Sequence, residues 1–478
     1  MDTSKTSGAN NMSAKAGLQN AESQESRDSS ETLFKRFRHQ KVGLHADAFP
    51  KASFPPPPKS IRELDVGFDL VLKLILKHLF VGGALRTDKL AALLAIPISL
   101  LEEPIQFLRT EALIEARSAG SSTISGLLEY SLVDRGRQRA MAYMEENSYC
   151  GPVPVSLNAY RQQVSLQTVK NQVIDQNRVR DVFSNIVVRE DTLTKIGASI
   201  NSGRSIFIYG PAGVGKSFLA SLMVKLLYGD VVIPHAVLVE GQIVRVFDKS
   251  NHVPIEAESV AAEESSTIHQ APKSHDERWV LCERPVIFAG SELGISMLDL
   301  QYQPDTRFYE APLQMKANGG IFMIDDLGRQ EVDSKLLLNR WIVPLENGVD
   351  YLSLHTGNKF QIPFDVIPVF ATNLRPKDLA DEAFLRRLGY KIGIDYLNED
   401  EYRRVFAQYC SANGLQYKEA YVDYLLSQHY RPTGTPLVAC HPRDLICQVI
   451  DYTLFEGKAP YITEPLLSQA WGTYFVSE

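Results

Sequence analysis

The stretch RSIFIYGPAGVGKSFLASLMVKLLYG, residues 204–229, limits the folds open to this chain more than any other. A β-type run from Ser205 to Tyr209 enters GPAGVGKS, and an amphipathic helix follows at once. This is GxxxxGK[ST] inside the strand–loop–helix context that gives the pattern its physical meaning. The glycines let successive backbone N–H groups curl around phosphate oxygens, and the helix N-terminus adds its partial positive charge. Gly210, Pro211, Ala212, Gly213, Val214, Gly215, Lys216, Ser217 and Phe218 are therefore the candidate phosphate-binding residues. Lys216 is expected to neutralise the β- and γ-phosphates, and Ser217 to ligate Mg2+. ATP and Mg2+ are the expected cofactors. From about residue 165 onward strand-like and helix-like segments alternate, as in an α/β domain.

A second stretch, IFMIDDLGR (Ile321 to Arg329), runs four apolar residues into two aspartates. It has the form of a buried strand that delivers carboxylates at its exposed end. Asp325 is placed to hold Mg2+ through its water shell, and Asp326 to orient or activate an attacking water. The competing role for Asp326 is to cap the next turn. An aspartate here is one methylene shorter than a glutamate, and a displacement near ~1 Å can cost roughly 10²-fold in rate. A backbone that moves closer would compensate. Farther on, VIPVFATN gives a third strand ending in Thr372 and Asn373, where a polar side chain can bond water or a γ-phosphate. Arg386 and Arg387 follow a helical segment, and Arg443 opens a helix in HPRDLICQVIDYTLF.

The ordered set of phosphate loop, Asp-Asp strand, ATN, LRR segment and HPRD resembles an AAA+ ATPase over roughly residues 165–478. That resemblance implies a P-loop AAA+ core with a parallel sheet (165–397) and a C-terminal helical lid (398–478). The nucleotide would lie between core and lid, at the interface of neighbouring subunits in a homo-oligomeric ring. Asn373 would be sensor 1 and Arg443 sensor 2. Arg387 would be the arginine finger reaching into the next subunit, with Arg386 as the runner-up. The segment Tyr351 to Asn373 reads as two strands around a tip near Thr356-Gly357-Asn358. A hairpin there is similar to the AAA+ branch that includes MoxR-type ATPases and bacterial enhancer-binding activators, where it can face a ring's pore.

The Lys216-to-Asp325 spacing is long for such a fold. AVLVEGQIVRVFD accounts for part of it as a hairpin turning at Glu240-Gly241, and SNHVPIEAESVAAEESSTIHQAPKSHDE reads as an exposed insertion. His252, His275 and Asp276 in that stretch match no metal-ligand spacing and read as solvated loop residues. FAGSELGISMLDLQYQ, from Phe288, reads as core packing before the Asp-Asp strand, with a substrate-facing loop as the alternative.

Ahead of the core, residues 1–60 form a polar tail and a proline-rich spacer, FPPPPKS from Phe54. FKRFRHQK, Phe34 to Lys41, reads as solvated tail. Residues 61–148 show three helices, a hairpin and a last helix, a pattern that resembles a winged helix-turn-helix domain. Ser99 with Glu102 is expected to form a capping box and Asp134 to cap the last helix. Residues 149–164 read as an extended linker. VGFDLVLKLILKHLFVGGAL, the most apolar run, carries Asp69, Lys73 and Lys77 on one helix face, which excludes a membrane span.

A net charge of −7 gives no sign of a surface that seeks nucleic acid throughout. The helix expected to read DNA carries Glu102, Glu103 and Glu111 against Arg109, so DNA binding is disfavoured, although Arg135, Arg137 and Arg139 near the wing keep it open. Five scattered cysteines (Cys150, Cys282, Cys410, Cys440, Cys447) without CxxC fit a reducing cytoplasm. The leading expectation is an ATP-hydrolysing ring that remodels a protein partner. The alternatives are a DNA-linked transcriptional regulator and a slow or non-hydrolysing ATP-gated switch.

Overall fold

Residues 53–117, 128–170, 172–255, 275–379 and 382–475 are described in the computed structural model, all within one compact unit, Phe49–Glu478. The polar tail before residue 53, the wing tip at 118–127 and most of the insertion, 256–274, lie outside the described residues.

Five short strands make the central parallel sheet, the inner three almost wholly buried and the two edge strands partly exposed: Ile206–Tyr209, Val286–Ala289, Ile321–Ile324, Ile367–Thr372 and Tyr390–Gly393. Counted first to fifth along the chain, they lie in the order second, third, fourth, first, fifth. Apolar residues on both faces suit a sheet covered by helices on either side. The first, third and fourth strands are adjacent, so the phosphate loop, the Asp-Asp pair and Asn373 all leave the sheet from its C-terminal edge. That edge, where the strand order reverses, is where open α/β sheets bind ligands.

A helical C-terminal segment follows. Its first helix, Glu399–Ala412, opens at Asn398 with a reciprocal capping box to Glu401. Helices His441–Phe455 and Glu464–Tyr474 complete it around a buried aromatic core. Inside, the Tyr402 and Tyr430 hydroxyls bond each other at 2.9 Å, and the Tyr430 hydroxyl meets His441 Nδ1 at 3.1 Å. Burial pushes the His441 imidazole from its ordinary 6.5 down to about 4. The folded segment therefore binds this proton less tightly than the unfolded chain. His441 costs no stability above about pH 6.5, and its penalty grows as pH falls toward about 4. The melting temperature of the wild type should accordingly drop more steeply than that of His441→Phe between about pH 7 and about pH 5. Parallel curves would remove His441 from the acid response.

Residues 61–148 form three helices, Phe68–Gly82, Thr87–Leu94 and Glu102–Thr110, then strands Ile114–Arg117 and Glu129–Leu132 and helix Asp134–Glu146. Glu129–Leu132 pairs antiparallel with both Ile114–Arg117 and the short strand Leu85–Arg86. Lys73 and Lys77 of the first helix's polar stripe face the last helix and the segment after it, while Asp69 stays exposed. Lys73 pairs with Asp69 and Glu146, and the buried Lys77 ammonium donates to Asn147 O, Asn147 Oδ1 and Tyr149 O. Burial lowers the Lys77 pKa to about 8. Among the described residues no single helix is long and apolar enough to cross a membrane.

Several local expectations are corrected. Ser99 makes no capping box, because Pro97 starts a 3-10 turn, Ile98–Leu101, that holds Ser99 in its interior. Asp134 is the first helical residue and Val133 occupies the cap position, so the carboxylate serves the helix dipole and makes no cap bond. The stretch 149–164 is not an extended linker. Strand Val155–Ser156 pairs with Ala236–Val239, and Ser156 Oγ caps helix Leu157–Leu166 by accepting from Ala159 N. The proline run is no free spacer, since Pro55 O accepts from Asp276 N and the Phe54 ring lies 4.3 Å from that of His275.

The extra length between Lys216 and Asp325 builds a second sheet, with strands in the order Gln301–Gln303, Phe308–Glu310, Gln242–Arg245, Ala236–Val239, Val155–Ser156. Its hairpin turns at Glu240 (φ 48°) and Gly241 (φ 76°), the left-handed pair that a two-residue turn requires. Ala236, Ile243 and Phe308 enter the core of the N-terminal domain, so the sheet fixes that domain to the unit. His252, expected in solvent, is buried, with Nε2 at 2.9 Å from Lys316 O and Nδ1 accepting from Asp248 N. Asp276 is also buried, 2.8 Å from Arg278, whose guanidinium donates to Leu64 O. No metal-ligating cluster occurs among the described residues. Leu293 and Leu298, in the stretch after Phe288, are buried in the core.

Strands Val349–Ser353 and Lys359–Pro363 form an antiparallel hairpin directly before the fourth strand. Thr356, Gly357 and Asn358 at its tip are exposed. The neighbouring His355 is docked on the second sheet. Its backbone N–H donates to the Tyr309 hydroxyl at 3.0 Å, and its ring lies 4.4 Å from that of Tyr302.

Candidate functional site

The loop from Gly210 to Gly215 owes its shape to three glycines with positive φ: Gly210 at 153°, Gly213 at 77° and Gly215 at 89°. Each meets a different surrounding. A Cβ on Gly210 would stand 1.9 Å from Ile394 O, so the fifth strand's exit closes that side. A Cβ on Gly213 would meet Cys440 Sγ at 2.7 Å and Val438 Cγ1 at 2.8 Å, and Gly213 O accepts from Cys440 N at 3.2 Å. The helical segment thus closes onto the loop. At Gly215 nothing lies within 4 Å of the Cβ position, so that side of the loop is open space. Helix Lys216–Met223 begins there and aims its first N–H groups at the same space.

Lys216 is buried, and its ammonium donates to Gly210 O (3.0 Å), Pro211 O (2.8 Å) and Asn373 Oδ1 (2.5 Å). Asn373 Nδ2 in turn donates to Asp326 Oδ1 at 3.2 Å. Beside this chain, Ser217 Oγ donates to Asp325 Oδ2 at 2.5 Å, and Asp325 Oδ1 accepts from Asp326 N at 2.9 Å. Burial pushes the Asp325 carboxyl up from its ordinary value and the Lys216 ammonium down, while Asp325 and Asp326 oppose the Lys216 shift.

Asp326 has φ 48°, in the left-handed region. Aspartate tolerates that conformation better than residues with longer or branched side chains. The backbone therefore supplies a reason for Asp-Asp in place of Asp-Glu. The turn beyond it is braced by Gln330, whose Nε2 donates to Asp325 O (3.1 Å) and whose Oε1 accepts from Gly328 N (2.8 Å). Gln330, Val438 and Cys440 carry no motif, and only their place around the loop reveals them.

The three arginines are placed differently. Arg443 lies one turn beyond Cys440, its Nε bonded to Asp444 Oδ1 at 2.7 Å, with Asp444 also accepting from the Tyr474 hydroxyl. Arg386 is exposed, with Nε near Glu382 O. Arg387 pairs with Glu346 at 2.5 Å, and its carbonyl accepts from Ser205 Oγ. Ser205 precedes the first strand, whereas the phosphate loop follows it, so the two ends stand roughly 13 Å apart at about 3.3 Å per residue. Neither Arg386 nor Arg387 joins the Lys216 cluster.

The arrangement suits a magnesium-bound phosphate chain. A hydroxyl and a carboxylate side by side are hard oxygen donors for a divalent cation, and a lysine and open amide N–H groups suit phosphate oxygens. A family model described as "Domain of unknown function (DUF8689)" matches residues 398–473, the helical segment that closes on Gly213. No curated protein matches the chain. Solved structures with some likeness include the RuvB Holliday junction branch migration motor of Thermotoga maritima, at 14% identity and a TM-score of 0.33, covering 64% of this chain and 71% of that one. Another is NtrX from Brucella abortus in complex with ATP, at 12% identity and a TM-score of 0.34, covering 72% of this chain and 65% of that one.

Proposed function

We propose that this chain is an AAA+ ATPase of the pre-sensor-1 hairpin, MoxR-like branch. It binds ATP-Mg2+ on the Gly210–Phe218 loop and hydrolyses it at subunit interfaces of a homo-oligomeric ring to remodel a protein partner. The observation that carries this reading is the continuous chain Lys216–Asn373–Asp326 beside the Ser217–Asp325 pair, since it gathers three separated sequence segments into one site.

Ser217 and Asp325 would hold Mg2+, which when bound supplies charge neutralisation to the phosphates. Lys216 binds phosphate oxygens and Asn373 positions the Asp326 carboxylate, which takes the role of orienting water. Arg443, one turn from the loop contact, senses nucleotide from the lid side. Arg387, anchored beside Ser205 at the start of the first strand and paired with Glu346, would reach the site of the next subunit, with Arg386 the alternative.

The N-terminal domain is read as a winged helix serving as a protein adaptor. Glu102, Glu103 and Glu111 are exposed, and Arg135 turns its guanidinium to Glu111 O instead of an open surface. Phosphate backbones would be repelled from such a face.

The test is complementation. Arg387→Ala should bind ATP but lose roughly 10³-fold in turnover, and Lys216→Ala should be silent for want of nucleotide. Mixed together they should recover activity, because Lys216→Ala subunits lend Arg387 to intact neighbouring sites. Failure to recover would contradict the shared site. Full turnover by Arg387→Ala, with Arg386→Ala inactive, would move the finger by one residue.

A further inference from the structure

We propose that Arg329 is a further phosphate contact of this site, reaching the terminal-phosphate end of a bound nucleoside triphosphate in its own subunit from the turn after Asp326. The inference rests on the ATP-binding reading above.

The turn itself is fastened at nearly every backbone group. Leu327 N donates to Ala371 O, Leu327 O accepts from Thr372 Oγ1 and Arg329 N donates to Asp326 O. Gln330 ties Asp325 O, Asp326 O and Gly290 O to the same turn. Gly328 at φ 103° lies against the tips of Leu374 and Leu379, in a conformation that residues with a Cβ rarely adopt. The Arg329 side chain is the contrast. It is exposed and has no ion pair or side-chain hydrogen bond among the described residues. An exposed cation without a polar partner gives the fold no reason to brace its turn this tightly.

Its position supplies the reason. Three residues before it stands Asp326, joined through Asn373 to Lys216. Two cations thus flank Asp325 and Asp326, leaving the cluster balanced for a polyanion that arrives with its own divalent cation. A guanidinium presents planar paired donors that fit phosphoryl oxygens. Because Asp326 lies at the hydrolytic end of the chain, the group contacted is the terminal phosphate, which a nucleoside diphosphate lacks. Arg387, at the far end of the first strand, cannot fill this place.

The experiment compares Mg2+-ATP and Mg2+-ADP affinities by competition against a fluorescent ADP, for wild type, Arg329→Ala, Arg329→Lys and the exposed control Lys335→Ala. Loss of a charge-assisted contact should weaken ATP binding about 10-fold or more in Arg329→Ala. ADP binding should be nearly unchanged. Arg329→Lys should recover part of the difference and Lys335→Ala should match wild type. Equal effects on ATP and ADP, no effect on either, or the same loss in Lys335→Ala would overturn the assignment and leave the ATP site standing. A wild-type protein that binds neither nucleotide would overturn both.

Discussion

Lys216→Ala should lose ATP affinity by about 10²-fold or more while the protein stays folded. Each charge-assisted hydrogen bond to a phosphate oxygen contributes roughly 1.5–3 kcal/mol, and the lysine is expected to make at least one while neutralising the β- and γ-phosphates together. The fold should tolerate the change because the ammonium is a buried charge whose pKa burial already lowers. Its partners Gly210 O and Pro211 O border the open loop, where water can replace the lost donor. Titration with a fluorescent ATP analogue, run beside thermal unfolding, separates the two effects. Unchanged affinity would overturn the phosphate-loop assignment, and loss of binding through unfolding would show as a collapsed melting temperature.

Asp326→Asn should bind ATP and lose turnover by roughly 10²- to 10⁴-fold, the usual range for removing a positioned general base. Asparagine keeps the length and tolerates φ 48°, so the turn braced by Gln330 should persist. Asp326→Glu separates an engine from a switch. A glutamate is strained at this φ and carries its carboxylate about 1 Å farther on, so turnover should fall below wild type, by up to roughly 10²-fold. Faster phosphate release by Asp326→Glu than by wild type would mean that the short carboxylate slows hydrolysis, in favour of the ATP-gated switch.

The gathering of Lys216, Ser217, Asp325, Asp326 and Asn373 in one place was legible in the sequence because their spacing is tied to local geometry. GPAGVGKS needs its glycines at positive φ, and IFMI and VIPVFAT must be buried strands before their polar ends can meet. The α/β core followed from that alternation, and the parallel sheet and helical C-terminal segment from the resemblance. What sequence could not show is set by distant partners. The helix Leu157–Leu166 looked extended because its cap, Ser156, is preceded by prolines and its strand partner lies some eighty residues on. His252 looked solvated because its partner, Lys316 O, comes from another segment, and Asp276 because the Arg278 that pairs with it is itself anchored on Leu64 O of the N-terminal domain. Ser99 and Glu102 had capping-box spacing, but Pro97 imposed a 3-10 turn across it. The hairpin before the fourth strand was visible as two strands and a tip. Its docking through His355 on Tyr302 and Tyr309 was not, since those tyrosines sit in a sheet built from the extra length before Asp325.

The most direct test of the central claim is steady-state phosphate release by the full chain with Mg2+-ATP across a protein concentration series, with assembly state followed in the same samples. A site completed by Arg387 of a neighbour predicts specific activity that rises as subunits assemble, then levels off. Full activity in samples that contain only monomer would contradict it, as would assembled protein that binds ATP yet releases no phosphate.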